Sequence, residues 1–238
     1  MSKKPIYKRI VIKLSGEVMA GDEGMGIEPA ALRELTEELN ELRDLGVEVA
    51  VVIGGGNLIR GAQSAAYNLE RVTADHVGML ATIINGLALR DTLEKGGIPA
   101  IIQSALPVGE IVTLAVRSHC LRALQEGKVV IFVGGTGNPY FTTDTAAVLR
   151  ALEIGAEIVL KATKVDGVYD ADPLKHTAAV KFDRISYHDV LQRNLQVMDA
   201  TAITLCMEHQ LPVAVFNIGG KGKMRKILVG EQEGTLIN

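Results

Sequence analysis

The run Gly-Gly-Thr-Gly-Asn-Pro-Tyr-Phe-Thr-Thr-Asp at residues 134–144 follows an apolar stretch at 129–133 and leads into a helical pattern starting at Thr145. Glycines admit a phosphate close to the backbone, hydroxyls add donors, and a helix N-terminus adds partial positive charge. The run therefore reads as a binding loop at the carboxyl end of a strand, where open α/β sheets place their ligands.

Other strand ends carry compatible chemistry. Lys13 lies near the end of the run 9–14, just before the turn Ser15-Gly16. Burying an ammonium is costly unless an anion meets it, although a lysine that simply emerges at a strand end reads equally well. Residues 54–61, Gly-Gly-Gly-Asn-Leu-Ile-Arg-Gly, offer three successive glycine N–H groups, and Arg60 offers a fork suited to phosphate oxygens. The spacing is neither that of a Rossmann fingerprint nor that of a P-loop.

Two carboxylates are ambiguous from spacing. Asp75 sits early in a helical pattern, where it either complements the helix dipole or accepts from a ribose diol, the structural role being preferred. His76 beside it reads as a helix histidine rather than a ligand. Asp144, with Thr143, could cap the helix that follows. The stretch 160–173 holds Lys161, Lys164, Asp166, Tyr169, Asp170 and Asp172. Its Asp-Gly and Asp-Pro pairs mark turns by themselves, yet the same groups could hold a nucleotide, its ribose and its Mg²⁺. Glycine-bearing strand ends, several cations and no legible nucleophile–base pair point to phosphoryl transfer, which relies on positioning and charge neutralisation.

The elements that must position these groups are also legible. β-branched runs at 9–14, 47–53, 98–103, 129–133, 158–161 and 213–216 alternate with helical patterns, which predicts an α/β fold with a parallel sheet covered on both faces. One helix opens at Pro29, buries Leu32, Leu35, Leu39 and Leu42, and stops at Gly46. A second carries Val77, Leu80, Ile83, Ile84 and Leu87 at helical spacing and ends near Gly96-Gly97. No repeat or linker interrupts the chain, so residues 1–238 are expected to form one unit.

Composition bounds the rest. At 238 residues, with 47% hydrophobic and 22% charged residues, the chain suits a globular enzyme, and a net charge of −3 argues against a broad nucleic-acid surface. Cys120 and Cys206 make no disulfide framework or metal-ligand spacing and read as buried thiols. The first residues lack the apolar core of a signal peptide, and no run approaches the roughly 18 apolar residues of a membrane span. The expected location is the cytoplasm.

Six ordered motifs carry a resemblance: Lys-Leu-Ser-Gly at 13–16, the glycine–arginine run at 54–61, Asp-His-Val-Gly-Met-Leu-Ala-Thr at 75–82, the loop at 135–144, Leu-Lys-Ala-Thr-Lys-Val-Asp-Gly-Val-Tyr at 160–169, and Glu-Gly-Thr-Leu at 233–236. Over essentially its whole length the chain resembles the bacterial-type UMP kinases of the amino acid kinase family. The resemblance implies an αβα sandwich around a mostly parallel sheet, and transfer of the γ-phosphoryl group of ATP to UMP. It implies Mg²⁺ arriving with ATP, no residue being assigned as its ligand, and a homohexamer with UTP inhibition. The N-terminal part would mainly bind UMP and oligomerise, and the part from about residue 160 would mainly bind ATP.

By the same resemblance, Gly55, Asp75, Thr136, Gly137, Asn138, Pro139, Tyr140, Phe141, Thr142 and Thr143 would hold UMP, with Asp75 on the ribose. Lys13, Leu14, Ser15, Gly16, Gly56, Arg60, Thr163, Tyr169 and Asp172 would hold ATP. Lys13 and Arg60 would face the transferred group, and Asp144 would orient the lysines rather than act as a base, with Lys161, Lys164 and Asp199 as weaker candidates for the shell. The UMP phosphate is already an anionic nucleophile, so in-line placement and charge screening suffice. Positions that are basic in some GTP-activated members are Glu94 and Ile101 here, with Lys128 alone basic, which argues against GTP control. The competing readings are a kinase of the same family acting on a carboxylate such as acetylglutamate, glutamate or aspartate, and a non-catalytic nucleotide sensor. Loss of Lys13 or Asp144 would favour the sensor, and both residues are present.

Overall fold

The computed structural model describes residues 3–59, 68–173, 175–176 and 178–238. In chain order its strands are β1 (Arg9–Leu14), β2 (Glu48–Ile53), β3 (Ala100–Ser104), β4 (Thr113–Leu114), β5 (Val129–Val133), β6 (Ile158–Thr163), β7 (Val168–Tyr169), β8 (Lys181–Phe182), β9 (Arg184–Ile185), β10 (Val213–Asn217) and β11 (Thr235–Ile237). The helices are α1 (Pro29–Asp44), α2 (Arg71–Lys95), α3 (Arg117–Gln125), α4 (Thr143–Ile154), α5 (Tyr187–Gln192), α6 (Ala200–His209) and α7 (Lys223–Leu228). All six runs singled out in the sequence form strands, with ends shifted by one or two residues where they differ.

A nine-stranded sheet runs β4-β3-β5-β2-β1-β6-β10-β11-β9, with β7 and β8 forming a separate hairpin. Its pairings are parallel except for β10 with β11. Alternation of strand and helix forces the parallel arrangement, since each chain reversal is made by a crossover helix. The short strands β4, β7, β8, β9 and β11 escaped the sequence reading because two or three residues carry no periodic signal.

The period of two along each strand divides the core into two layers. Ile10, Ile12, Leu14, Val51 and Ile131 pack with Leu35, Leu39 and Leu42 of α1, with Leu89 and Leu93 of α2, and with Met224 of α7. Val11, Val52, Val130 and Val159 pack with Leu124 of α3, Ala147 and Val148 of α4, Val190 of α5 and Ile203 of α6. The result is an αβα sandwich. Cys120 and Cys206 are buried thiols, Cys206 being pushed up to about 12 by burial first and by nearby Asp199 second.

α2 departs from its predicted face. Leu80 and Ile84, expected inside, are 51% and 52% exposed, whereas Met79, Ile83, Leu89 and Leu93 meet the sheet. The helix is apolar on more than one side, so spacing alone did not select the covered face. By length and composition alone α2 is long and apolar enough to cross a membrane, but it lies against the sheet as a helix of the core.

Candidate active site

Lys13 near the end of β1 and Lys161 in β6 are direct partners across the parallel register. Both fall on the strand positions that face α4, so the sheet sets two ammonium groups side by side. Like charges at this spacing repel, and their burial adds a desolvation cost. Asp144, in the first turn of α4, lies between them: Oδ1 is 3.0 Å from Lys13 Nζ and Oδ2 is 2.6 Å from Lys161 Nζ. The three side chains are only 11–13% exposed.

Burial works to raise the Asp144 carboxyl, but the two lysines outweigh it and hold the group below the usual carboxylate range. Lys161 is pushed down from its ordinary value, first by burial, with Asp144 opposing and Lys13 adding to the shift. An ionised carboxylate held between two cations is a poor proton acceptor and a good orienting group. Asp144 does not cap α4. That role falls to Thr142, whose Oγ1 accepts from Asp144 N at 3.1 Å.

A cavity of ≈ 490 Å³ opens between α2 and the loop after β5. Gly55, Gly56, Asp75, Thr136, Phe141, Thr142 and Thr143 line it, together with Arg71 and Thr82. Gly137, Asn138, Pro139 and Tyr140 are outside its lining and shape the loop instead. Gly134 N donates to Thr82 Oγ1 at 2.7 Å, and Asn138 N donates to Thr136 Oγ1 at 3.1 Å. Tyr140 has φ of 72°, a left-handed conformation costly for a tyrosine. Its N–H donates to Asp75 Oδ2 at 2.7 Å and Arg71 lies 5.4 Å from its ring centroid, so the strained turn is held from α2.

Asp75 is thus more than a dipole partner. It accepts from Arg71 Nε at 3.0 and 2.9 Å as well as from Tyr140 N, and it faces the cavity. Burial acts to raise its carboxyl, and the Tyr140 N–H with Arg71 brings it below the usual value.

A second cavity of ≈ 710 Å³ is lined by Lys13 and Lys161 themselves. Ser15 and Thr163 line it, as do Lys164, Glu34 and Glu38 of α1, and the loop Gly219, Gly220 and Lys221. Lys164 Nζ pairs with Glu17 at 2.6 Å, and Lys221 Nζ with Glu37 at 2.7 Å. Glu38, which accepts from Gly222 N at 2.7 Å, is raised by burial.

Several expected residues sit apart from both linings. Leu14 is fully buried, and Gly16 approaches Gly54 and Gly56 so closely that a Cβ would lie 2.8 Å from Gly54 O. Tyr169 donates to Asp166 at 2.5 Å, and Asp172 lies on the same segment near Lys175. Gly54 N is committed to Leu14 O at 2.9 Å, which leaves two of the three glycines on the α2 cavity. Asp199 touches neither cavity: it caps α6 through Ala202 N at 2.9 Å and accepts from Thr142 and Thr145. Arg60 lies outside the described residues.

The sequence reading missed the α1 glutamates and residues 219–221. The Gly-Gly-Lys-Gly run after β10 met the same criterion that singled out the other glycine-bearing strand ends. Nothing in the α1 pattern distinguished its cavity-facing glutamates from a solvated helix face.

Residues 8–217 match the model of the Amino acid kinase family. The chain belongs to that family. It is 53% identical over 234 residues to a uridylate kinase of Photorhabdus laumondii, covering 98% of this chain and 97% of the relative. A uridylate kinase of Vibrio cholerae is 52% identical over 235 residues, covering 99% and 97%. The crystal structure of the UMP kinase from Bacillus anthracis superposes with a TM-score of 0.94 at 39% identity, covering 98% of this chain and 96% of that one.

Proposed function

We propose that this chain transfers the γ-phosphoryl group of ATP to UMP, giving UDP and ADP. The observation that carries the reading is the Lys13–Asp144–Lys161 cluster, whose lysines line the α1 cavity and whose aspartate directly follows Thr143 of the α2 cavity lining. The α2 cavity takes the acceptor and the α1 cavity takes the donor. The donor side draws on both ends of the chain, from Lys13 to Glu38 and from Lys161 to Met224.

Transfer of a phosphoryl group needs the nucleophilic oxygen aimed in line and negative charge neutralised in the transition state. Lys13 and Lys161 supply the charge, and Asp144 holds them without taking a proton. Asp75 receives the acceptor ribose while Thr136, Thr142 and Thr143 hold its phosphate and base. Ser15, Thr163 and the loop 219–221 hold the donor. The metal ion expected with the donor would arrive on its triphosphate. Mg²⁺ bound there neutralises phosphate charge.

A homohexamer in the cytoplasm, inhibited by UTP, accompanies this reading. The exposed Leu80 and Ile84 on α2 support association through an apolar helix face. The test of the activity is coupled ADP release with UMP, CMP, glutamate, acetylglutamate and aspartate as acceptors. UMP is expected to give the highest turnover, and turnover only with a carboxylate would overturn the reading. The sensor reading would require no turnover with any acceptor.

A further inference from the structure

Beneath the glycine loop, and touching neither cavity, two asparagines are fully buried: Asn57 at 1% exposure and Asn85 at 0%. Their side-chain amides pair reciprocally. Asn57 Nδ2 donates to Asn85 Oδ1 at 3.0 Å, and Asn85 Nδ2 donates to Asn57 Oδ1 at 2.7 Å. The remaining donors go to backbone: Asn57 Nδ2 to Gly26 O at 2.6 Å, and Asn85 Nδ2 to Gly54 O at 2.8 Å. All four amide N–H groups of the pair are thereby used, in an interior where an unmet donor is expensive.

Four segments meet at this pair. A Cβ on Gly16 would lie 2.4 Å from Asn57 Oδ1 and 2.8 Å from Gly56 N, so the turn that follows Lys13 rests directly on it. Gly54 opens the loop whose Gly55 and Gly56 line the α2 cavity. Gly26 follows the segment at 16–23 that walls the α1 cavity, and its own N–H donates to Asn57 O at 2.9 Å. Asn85 belongs to α2, and one turn earlier on the same face Thr82 accepts from Gly134 N, the first residue of the acceptor loop. The face of α2 bearing Thr82 and Asn85 therefore fixes the acceptor loop and the glycine loop to one rigid element.

We infer that the Asn57–Asn85 pair is a positioning device for the reaction, setting the glycine loop and the Lys13 turn at the separation that aligns acceptor with donor. The inference rests on the phosphoryl-transfer reading above. Each half-site keeps its own ligand-contacting groups when the pair is lost, and only their mutual alignment changes. Alignment errors of about 1 Å cost on the order of a hundredfold in rate.

Asn85→Asp removes both Nδ2 donors at nearly constant size. The double variant Asn57→Leu/Asn85→Leu removes the whole pair, and replacing both partners with apolar groups costs less stability than orphaning one. Steady-state kinetics with UMP and ATP, alongside thermal unfolding and the folded fraction from circular dichroism, test the inference. The expected result is kcat lowered about tenfold or more per folded molecule, with KM for both substrates within about twofold. A kcat that returns to the wild-type value once corrected for folded fraction would overturn it, as would failure of both variants to fold, since either leaves a purely structural pair. If the wild-type enzyme turns over no UMP, the underlying reading fails instead.

Discussion

The two cavities are held by different kinds of force. The α2 cavity, the proposed acceptor site, is built from local backbone turns pinned to one helix, with Thr82 and Asp75 of α2 catching Gly134 N and Tyr140 N. The α1 cavity, the proposed donor site, is assembled from segments far apart in the chain and bordered by ion pairs at the surface, Lys221 with Glu37 and Lys164 with the half-buried Glu17. The Gly134–Thr82 bond is buried and fixes geometry, the Tyr140–Asp75 bond lies at an exposed turn, and exposed ion pairs contribute little stability and break easily. The α2 cavity is therefore the more preorganised at its Gly134 end, and the α1 cavity is held by contacts that can yield. Lys13 and Lys161 line the α1 cavity, and Asp144, which holds them, follows Thr143 of the α2 cavity lining.

The largest expected effect comes from this cluster. Lys13→Ala should lower kcat by about a hundredfold or more, the scale of losing one preorganised charge in the transition state, with the fold intact by circular dichroism. Near-wild-type turnover at saturating substrates would remove Lys13 from the mechanism. Next, Asp75→Asn should raise KM for UMP about tenfold, in line with a lost charge-assisted hydrogen bond, and leave KM for ATP within about twofold. An equal rise for both substrates would mean that Asp75 only braces the Tyr140 turn.

GTP should change the initial rate by less than about twofold at sub-saturating substrates. A polyanion held outside both cavities needs cations, and of the three positions compared only Lys128 is cationic, itself 2.8 Å from Glu126. A saturable several-fold activation, controlled for GTP acting as donor, would refute this.

The smallest effect is on acid stability. Asp144 and Asp75 both have folded-state values below the usual range, so their contribution is complete above the unfolded value of about 3.9 and is lost as pH falls through the folded value. The urea midpoint should be flat in these terms from about pH 7 to pH 5 and fall below about pH 4. In Asp144→Asn part of that acid fall should be missing, and an unchanged profile would contradict the assignment.

The contrast between the cavities also explains what the sequence disclosed. The six central strands and the acceptor loop were legible because β-branched runs and a dense glycine–hydroxyl motif are local signals. The pairing of Lys13 with Lys161 depends on strand order, which spacing does not encode, so Lys161 could be read only as a lesser member of the shell. Asp199 also depends on tertiary packing, since it reaches Thr142 and Thr145 across more than fifty residues of chain. On α2 the apolar residues at Leu80 and Ile84 misled, because a helix apolar on two sides does not announce which side the sheet covers.

The central claim is that Lys13, Asp144 and Lys161 act as one unit, and kcat of the double variant Lys13→Ala/Asp144→Asn tests it most directly. Residues that work as a unit are non-additive, since removing one already disables the others. The double variant should be no more than about threefold slower than the slower of Lys13→Ala and Asp144→Asn. A loss equal to the product of the two single losses would show independent contributions and contradict the account.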